Sequence, residues 1–436
     1  MHLNLQFNHP TANLNMHACK EAEAVEGLQR RLAQLLAFLD NDSENQLNDD
    51  DETTKEWKGR LKEVALRIED DIESEIIYRY GTEQPRSPLI GRLRKYGSLF
   101  CFHDDVGHGY RLPATPHFKR LRVLDLCSLH FITGIPSYVA DLILLRYLAL
   151  RPSKSLNSLP VLKDWNLQTL VLLENRGGST SADDPNPLIP WELPKLRHLQ
   201  VCTTFVLGTP TAIHHYLQTV QWLRPFQCRE QVFLRIPNAK VMGIFMEGSV
   251  EFGEANCLDN LRYLDQLEEL KIESRHFYPF LLPVVDVFPV QLKKLKLKGT
   301  LLPWDAMTVI GMLPNLQVLQ LKNGACQGPH WELTQGSFRQ LKSLLIYGSD
   351  LMHWEATGNN VFPVLERLIL KECYELEAIP SSFEDILTLK LIELCHCYSR
   401  LVNSAKRIQE EQRDYGNYAL VVRAYNIWRI AEEEVE

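Results

Sequence analysis

The chain has 436 residues, 45% of them hydrophobic, and a net charge of -8 at pH 7. This length suffices for two or more domains or one long repeat array, and the acidic balance argues against a general nucleic-acid binder. No signal peptide is expected, because no basic stretch followed by an apolar one opens the sequence. The longest apolar stretch, 138–150, is too short and too interrupted to span a bilayer. We therefore expect a protein of the reducing cytosol with free thiols.

Two amphipathic helices are predicted within residues 19–80, after a disordered N-terminus at 1–18. Apolar residues recur at helical spacing from Val25 to Leu39 and again from Trp57 to Ile76. The acidic stretch 40–56 between them is expected to be an exposed loop. Such a pair forms an antiparallel α-helical hairpin that buries too little to be stable alone, so it should pack on further protein.

The end of the second helix carries a dense acidic stripe in the sequence RIEDDIESEI (67–76). Its central acids are Glu69, Asp70, Asp71 and Glu73. Negative charge near a helix C-terminus is disfavoured by roughly a few tenths of a kcal/mol per group. A cationic partner elsewhere in the chain is one interpretation of this stripe, and a solvated acidic surface is the other.

From residue 118 the chain is a series of repeats with the motif L-x-x-L-x-L. Ten copies occur: LRVLDL (121–126), LRYLAL (145–150), LQTLVL (167–172), LRHLQV (196–201), LEELKI (267–272), LKKLKL (292–297), LQVLQL (316–321), LKSLLI (341–346), LERLIL (365–370) and LKLIEL (389–394). Degenerate copies at 217–222 and 239–244 fill the gap after 201. The spacing of 24–25 residues in the later copies is typical of leucine-rich repeats.

The repeats predict an α/β fold class, a leucine-rich-repeat solenoid with a curved parallel sheet, preceded by the N-terminal α-helical coiled-coil hairpin. In each repeat the L-x-L leucines face inward and the residue between them faces outward. We assign the repeat domain to 98–400. A polar helix in the segment 401–436 should cap the array, because the last core face would otherwise meet water.

Candidate sites outside the repeats' core give weak signals. Cys395 and Cys397 form a single tight cluster, which does not predict a metal site. His214 and His215 are expected at the surface. No G-x-S-x-G or H-E-x-x-H motif is present, so an enzyme is not expected. Large aromatic side chains are better candidates for a partner-binding surface, with burial inside the repeats as the alternative: Trp304, Trp331, Tyr347 and Trp354.

The combination of helical hairpin and repeats resembles the coiled-coil class of plant nucleotide-binding leucine-rich-repeat (NLR) immune receptors. The branch it resembles most is that of the late blight resistance protein homologues. One similar segment is EVALRIEDDIESEI, which resembles the acidic motif of that family's coiled-coil domain. Four further segments resemble its repeat domain: LFCFHDD, LRVLDL, LRYLAL and SAKRIQEEQ. The resemblance covers 25–80 and about 97–417, and it makes 19–80 a partial coiled-coil domain.

One departure from that family is large. Its nucleotide-binding domain should stand between the helices and the repeats, but the gap at 78–97 is too short to hold one, and we assign 81–97 as a linker. No G-x-x-x-x-G-K-[ST] loop occurs in the chain, so no backbone cradle for phosphates is expected. Full-length relatives bind ADP or ATP, whereas no cofactor is expected here. A truncated paralogue, a splice product and a gene-model error remain alternatives.

The resemblance implies a role in plant innate immunity and the hypersensitive response. The repeats would recognise a pathogen effector or a guarded host protein, and related NLR proteins are further expected partners. Nucleic acid is not expected, and the location would be the cytoplasm, with peripheral association at the plasma membrane left open. The alternative is a truncated scaffold, decoy or regulator that pairs with full-length receptors and has no nucleotide switch.

The resemblance also suggests a cationic partner for the acidic stripe. In that family the acidic helix docks on arginines of the repeat domain, and three arginines here follow the first leucine of an L-R-x-L segment. The expected clamp therefore joins Glu69, Asp70, Asp71 and Glu73 to Arg122, Arg146 and Arg197. Each exposed ion pair contributes only about 0.2–1 kcal/mol, so only a network of them matters. Arginines that merely keep the repeat surface soluble are the alternative.

Overall fold

The computed structural model describes residues 98–100, 121–131, 142–152, 166–173, 191, 193–201, 207–246, 257–274, 282–333, 335–356 and 361–428. The chain divides into two compact units, residues 1–129 and 130–436. In the first unit, β1 (Ser98–Phe100) pairs in parallel with the first three residues of β2 (Val123–Phe131). The predicted disordered segment 1–18, helical hairpin 19–80 and linker 81–97 lie outside the described residues.

The second unit is built on one parallel sheet whose strands follow in chain order, each from one repeat. Its strands are β3 (Tyr147–Pro152), β4 (Thr169–Leu172), β5 (His198–Val201), β6 (Thr219–Leu223), β7 (Val241–Met246), β8 (Glu269–Ser274), β9 (Lys294–Lys298), β11 (Val318–Lys322), β14 (Ser343–Tyr347), β16 (Arg367–Lys371), β17 (Leu391–Cys395) and β18 (Val421–Tyr425). The degenerate copies at 217–222 and 239–244 form β6 and β7. The predicted leucine-rich-repeat solenoid is confirmed.

The backbone fixes the strands in a common register. The carbonyl oxygen of Lys293 accepts hydrogen bonds from the amides of Gln317 and Val318, at 2.8 and 3.0 Å. The carbonyl of Gln317 accepts in the same way from Lys342 and Ser343. Because this pattern recurs from strand to strand, equivalent residues of successive repeats lie in rows about 4.7–4.9 Å apart.

The leucines of each motif form the core beneath the sheet. In β9 the inward residues Leu295 and Leu297 are buried, and Leu292 before the strand is buried with them. Burial of such a side chain contributes about 1.5–3 kcal/mol. A single repeat cannot cover this face, so its stability depends on the neighbours stacked on each side.

Short elements connect the strands on the other side of the array. Two small parallel sheets pair β10 (Leu302–Pro303) with β12 (Cys326–Gln327) and β13 (His330–Leu333) with β15 (His353–Ala356). The short helices α1 (Glu230–Phe233) and α2 (Ala306–Gly311) lie between β6 and β7 and between β10 and β11, respectively. Further turns of 3-10 helix lie at Pro225–Gln227, Cys257–Tyr263, Val285–Val287 and Ser381–Asp385.

The C-terminal part of the array contains a helix and an additional strand. Helix α3 (Ser399–Asp414) lies where the sequence predicts a polar helix. The sheet continues beyond it, because β18 pairs in register with β17. The segment 401–436, which is predicted to form a cap and tail, thus also contains this further strand. Among the described residues, no helix has the length and apolar character needed to cross a bilayer.

Candidate functional site

The outer face of the second unit's sheet presents the side chains that alternate with the buried leucines. In β9, β11, β14 and β16 alike, the first, third and fifth residues are half-buried while the second and fourth are buried. The outward residues thus stand on a backbone held by its hydrogen-bond ladder and by the core beneath it. They can differ between repeats without disturbing the packing, which makes this face suited to recognition.

Four neighbouring strands carry a strongly basic part of the outer face, which we call the lysine strip. It consists of the outward residues of β9, β11, β14 and β16: Lys294, Lys296, Lys298, Val318, Gln320, Lys322, Ser343, Leu345, Tyr347, Arg367, Ile369 and Lys371. Six of these side chains are cationic and none is acidic, in a chain whose net charge is -8. The strip is therefore a local reversal of the protein's charge.

Glutamates line both sides of the lysine strip and pair with its outermost lysines. On β8, Glu269 lies 2.7 Å from the Nζ of Lys296, and Glu273 pairs with Lys298. On β17, Glu393 lies 2.8 Å from the Nζ of Lys371. Burial alone would raise the pKa of Glu269, but the hydrogen bond from Lys296 and the surrounding lysines hold that pKa below its ordinary value.

Two cations of the lysine strip, one on β11 and one on β16, are not neutralised in this way. Lys322 and Arg367 form no ion pair with any of the described residues, and the buried Nε of Arg367 has no hydrogen-bond partner there. Burial lowers the pKa of Lys322, and the charges of Lys296, Lys298 and Lys371 lower it further. The part of the strip around Lys322 and Arg367 therefore favours a negatively charged group.

Of the residues predicted to form the clamp, only the arginines are among the residues that the structure describes. Glu69, Asp70, Asp71 and Glu73 lie outside the described residues. The side chains of Arg122, Arg146 and Arg197 are exposed. In the second unit, Arg146, Gln168 and Arg197 follow one another in the register that joins β3, β4 and β5. Arg146 and Arg197 are thus two strand spacings apart, about 9.5 Å.

The three tryptophans proposed as a partner-binding surface are interior residues. Trp304, Trp331 and Trp354 are at most 5% exposed and stack on one another, with centroid distances of 4.7 and 5.0 Å. That prediction is corrected for these three, because their rings fill the interior between consecutive repeats. Tyr347 differs from them: it is half-buried, faces outward and belongs to the lysine strip.

Two other predictions concern polar groups in the repeats. His214 was expected at the surface, but it is buried with its ring centroid 5.8 Å from that of Trp191, whereas His215 is exposed. Burial and the charge of His215 lower the pKa of His214. The thiol of Cys397 is buried and donates to the carbonyl of Leu370, whereas Cys395 is half-buried. No group of three potential metal ligands occurs within the part of the chain that the structure describes.

The lysine strip was missed at the level of sequence, although its signal is present there. In LKKLKLK (292–298) the leucines mark the inward positions, so every lysine after the first one is assigned to the outer face. Summing the charges of the outward positions over consecutive repeats would have identified the strip. Three of the four large aromatic residues predicted for a partner-binding surface are instead buried by the fold.

Sequence comparison relates the chain to a group of plant proteins. The late blight resistance protein homologue R1B-12 of Solanum demissum is 32% identical over 358 residues, which is 77% of this chain and 25% of the relative. Homologue R1B-13 of the same species is 30% identical over 78% of this chain and 30% of its own length. The late blight resistance protein R1-A is 30% identical over 77% and 26%, respectively. The chain thus spans about a quarter to a third of the length of these three relatives.

No family model matches the chain. The plant peptide hormone receptor RGFR1, in complex with RGF2, is 14% identical with a TM-score of 0.32, covering 72% of this chain and 53% of that chain. The functional domain of InlJ from Listeria monocytogenes, which includes a cysteine ladder, is 12% identical with a TM-score of 0.32, covering 76% and 69%.

Proposed function

This chain is homologous to the late blight resistance proteins over 77% of its length, and on that premise we propose that it is a plant disease-resistance protein that recognises other proteins through its repeats. The observation that carries the proposal is the homology together with the form of the repeats. A rigid parallel sheet presents polar and charged side chains on its outer face, and these residues are free to vary. Such a face suits the recognition of a protein surface.

The recognised protein is a pathogen effector or a host protein that an effector modifies, as the resemblance implies. The test is expression of the full chain in leaves together with individual pathogen effectors, with ion leakage as the measure of cell death. We expect at least one effector to cause leakage only when the chain is present. A chain in which the array is disrupted by Gly299→Ala provides the control for dependence on the repeats.

An intramolecular contact between the acidic helix and the arginines is the second part of the proposal. Its support is the acidic stripe at 67–76 and the exposed, regularly spaced Arg146 and Arg197. The pair of substitutions Asp70→Lys and Glu73→Lys should speed proteolytic cleavage of the intact chain within 78–97. Reversing Arg146 and Arg197 to Glu in the same chain should slow cleavage again. Cleavage that is indifferent to both reversals would remove the contact from the proposal.

A scaffold, decoy or regulator without a nucleotide switch is the alternative function. The observation that favours it is that the sequence contains no phosphate-binding loop and joins the predicted hairpin to the repeats through a short segment. Calorimetry with ADP and with ATP on the purified chain, and coprecipitation with a full-length relative, test it directly. Coprecipitation without nucleotide binding supports the regulator. Sequencing of the transcript across the codons for 78–97 would show whether the junction is genuine.

A further inference from the structure

The lysine strip combines charge with apolar contact area in a regular order. Gln320, Leu345 and Ile369 form one row across β11, β14 and β16, and Lys322, Tyr347 and Lys371 form the adjacent row. Two apolar side chains on the outer face therefore lie directly beside cations. A surface made only for solubility would not need half-buried leucine and isoleucine at these positions.

Arg367 places a further cation next to this apolar pair, on the side opposite the row of Lys322, Tyr347 and Lys371. It occupies the same strand as Ile369, two residues earlier, so its side chain is on the same face. Its Nε is shielded from solvent without a hydrogen-bond partner among the described residues. The guanidinium carries further N–H groups besides Nε, and a carboxylate can accept charge-assisted hydrogen bonds from these.

We propose that the lysine strip binds a short acidic segment of a partner protein, in which carboxylates flank an apolar side chain. The carboxylates pair with Lys322 and Arg367, and the apolar side chain packs on Leu345, Ile369 and the ring of Tyr347. This assignment rests on the proposed recognition function and specifies the chemistry of the partner. Its basis is the pair of cations without an ion-pair partner among the described residues, together with the apolar pair that lies between them.

The limits of the strip favour a short segment over a long polyanion. The four strands span three spacings, about 14 Å. Beyond them, β8 carries Glu269 and Glu273, and β17 carries Glu393. A nucleic acid that continued past the strip would meet these carboxylates. Its bases would also find Tyr347 as the sole aromatic side chain among the strip's residues, whereas single-strand sites stack successive bases on several.

The test uses a defined probe and matched charge changes in the full chain. The probe is the fluorescein-labelled peptide Ser-Glu-Asp-Leu-Glu-Leu-Asp-Glu-Ser, with binding followed by fluorescence anisotropy at constant salt. We expect the chain to bind it and Lys322→Glu or Arg367→Glu to weaken binding about tenfold or more, since the reversal places like charges opposite one another across the interface. Lys406→Glu makes the same charge reversal at an exposed position of α3 and should change the affinity less than about twofold.

Two variant probes separate the parts of the proposal. A peptide with Gln and Asn in place of the acids should not bind. A peptide with Ser in place of both leucines should bind more weakly than the parent, because it loses the contact with Leu345 and Ile369. Unchanged urea midpoints for the variants show that they are folded.

Several results would overturn the assignment. One is equal binding of the parent peptide by Lys322→Glu and Lys406→Glu. Another is tighter binding of a single-stranded oligonucleotide than of the peptide, since it would assign the strip to nucleic acid. An effector that causes cell death equally with Lys322→Glu and with the native chain would leave the recognition function standing while removing the strip as its site.

Discussion

Trp331 and Trp354 stack nearly parallel, with ring centroids 5.0 Å apart and an interplanar angle of 6°. They are partners in the register of β13 and β15, and Trp304 stacks on the other side of Trp331. The stack therefore runs through three consecutive connections, one ring from each. Aromatic pairs in such geometry contribute about 0.5–1.5 kcal/mol beyond the area they bury. This row links the repeats on the side opposite the lysine strip.

The middle ring of this stack should matter most for stability. Trp331→Ala removes a fully buried side chain and its stacking contacts with Trp304 and Trp354, so we expect the free energy of unfolding to fall by about 3–5 kcal/mol. Urea denaturation followed by circular dichroism measures it. The control is Trp428→Ala: that side chain is 54% exposed, and the hydrogen bonds at Trp428 are made by its backbone. It should lose less than about 0.5 kcal/mol. Similar losses for the two variants would contradict this account of the stack.

Glycine at 299 should be required for close approach of neighbouring strands. Gly299 has φ +64°, and a Cβ there would press on the carbonyl oxygen of Ser274, a backbone atom that cannot rotate away. Gly416 also has a positive φ, +91°, but a Cβ would meet nothing within 4 Å. Gly416→Ala should therefore cost only backbone strain, about 1–2 kcal/mol. Gly299→Ala should cost at least about 3 kcal/mol, since the backbone must also shift.

Thermal denaturation of both glycine variants measures this difference. Each variant introduces one methyl group at a left-handed position, so the comparison isolates the contact with Ser274. If the midpoints of the two variants fell equally, the close approach of the two repeats would not be a constraint.

Periodicity accounts for what could be predicted of the fold. Leucines at fixed spacing identify the buried positions of β9 or β16, because a residue that faces inward in one repeat does so in the next. Strand β18 was missed because the motif is degraded there: Ala419, Val422 and Ala424 occupy the places of leucine or isoleucine. Its register with β17 depends on tertiary packing, for which the sequence pattern gives no signal.

The candidate site was less predictable than the fold. The irregular connections have no period, so the sequence could not decide whether Trp331 lies inside or outside, and its pairing with Trp354 is a property of the folded chain. The cations of the lysine strip could be assigned to the outer face from the motif. The sequence could not show which of these cations lack a carboxylate partner. That depends on side-chain positions in the folded chain, such as those of Glu273 and Lys298.

Low pH should remove the contribution to stability of Glu269, which borders the lysine strip. The pKa of Glu269 in the folded chain lies below its ordinary value of 4.5, so its ionised form stabilises the fold above that pH. This stabilisation is lost as the pH falls through the folded-state pKa. In Glu269→Gln the contribution is absent at every pH. The difference in unfolding free energy between the native chain and this variant should therefore be largest near neutrality and should narrow below pH 4.5.

Urea midpoints at a series of pH values test this dependence. Glu410→Gln is the matched control, because it removes the same charge from an exposed position on α3. The difference in unfolding free energy between Glu410→Gln and the native chain should not narrow in this way as the pH falls. A gap for Glu269→Gln that stays constant from neutral pH to below 4.5 would show that Lys296 and Lys271 do not favour the ionised carboxylate.

The attachment of α3 to the array depends on one buried amide. The side chain of Gln412 is fully buried, and its Nε2 donates to the carbonyl oxygens of Phe383 and Ile386 at 2.8 and 3.0 Å, while its Oε1 accepts from Asn417. Gln412→Met keeps the length of the side chain and removes all three hydrogen bonds. We expect a loss of about 2 kcal/mol in unfolding free energy, because the groups left behind are buried away from water.

Because α3 precedes β18, the same substitution should also loosen the last strand. Hydrogen exchange of the amides in α3 and β18 should increase in Gln412→Met, while that in β9 should not change. Lys406→Met places the same new side chain at an exposed position of the same helix and should leave both stability and exchange close to those of the native chain. If the two variants exchanged alike, α3 would be held by its apolar face, including Leu401 and Ile408, and not by the hydrogen bonds of Gln412.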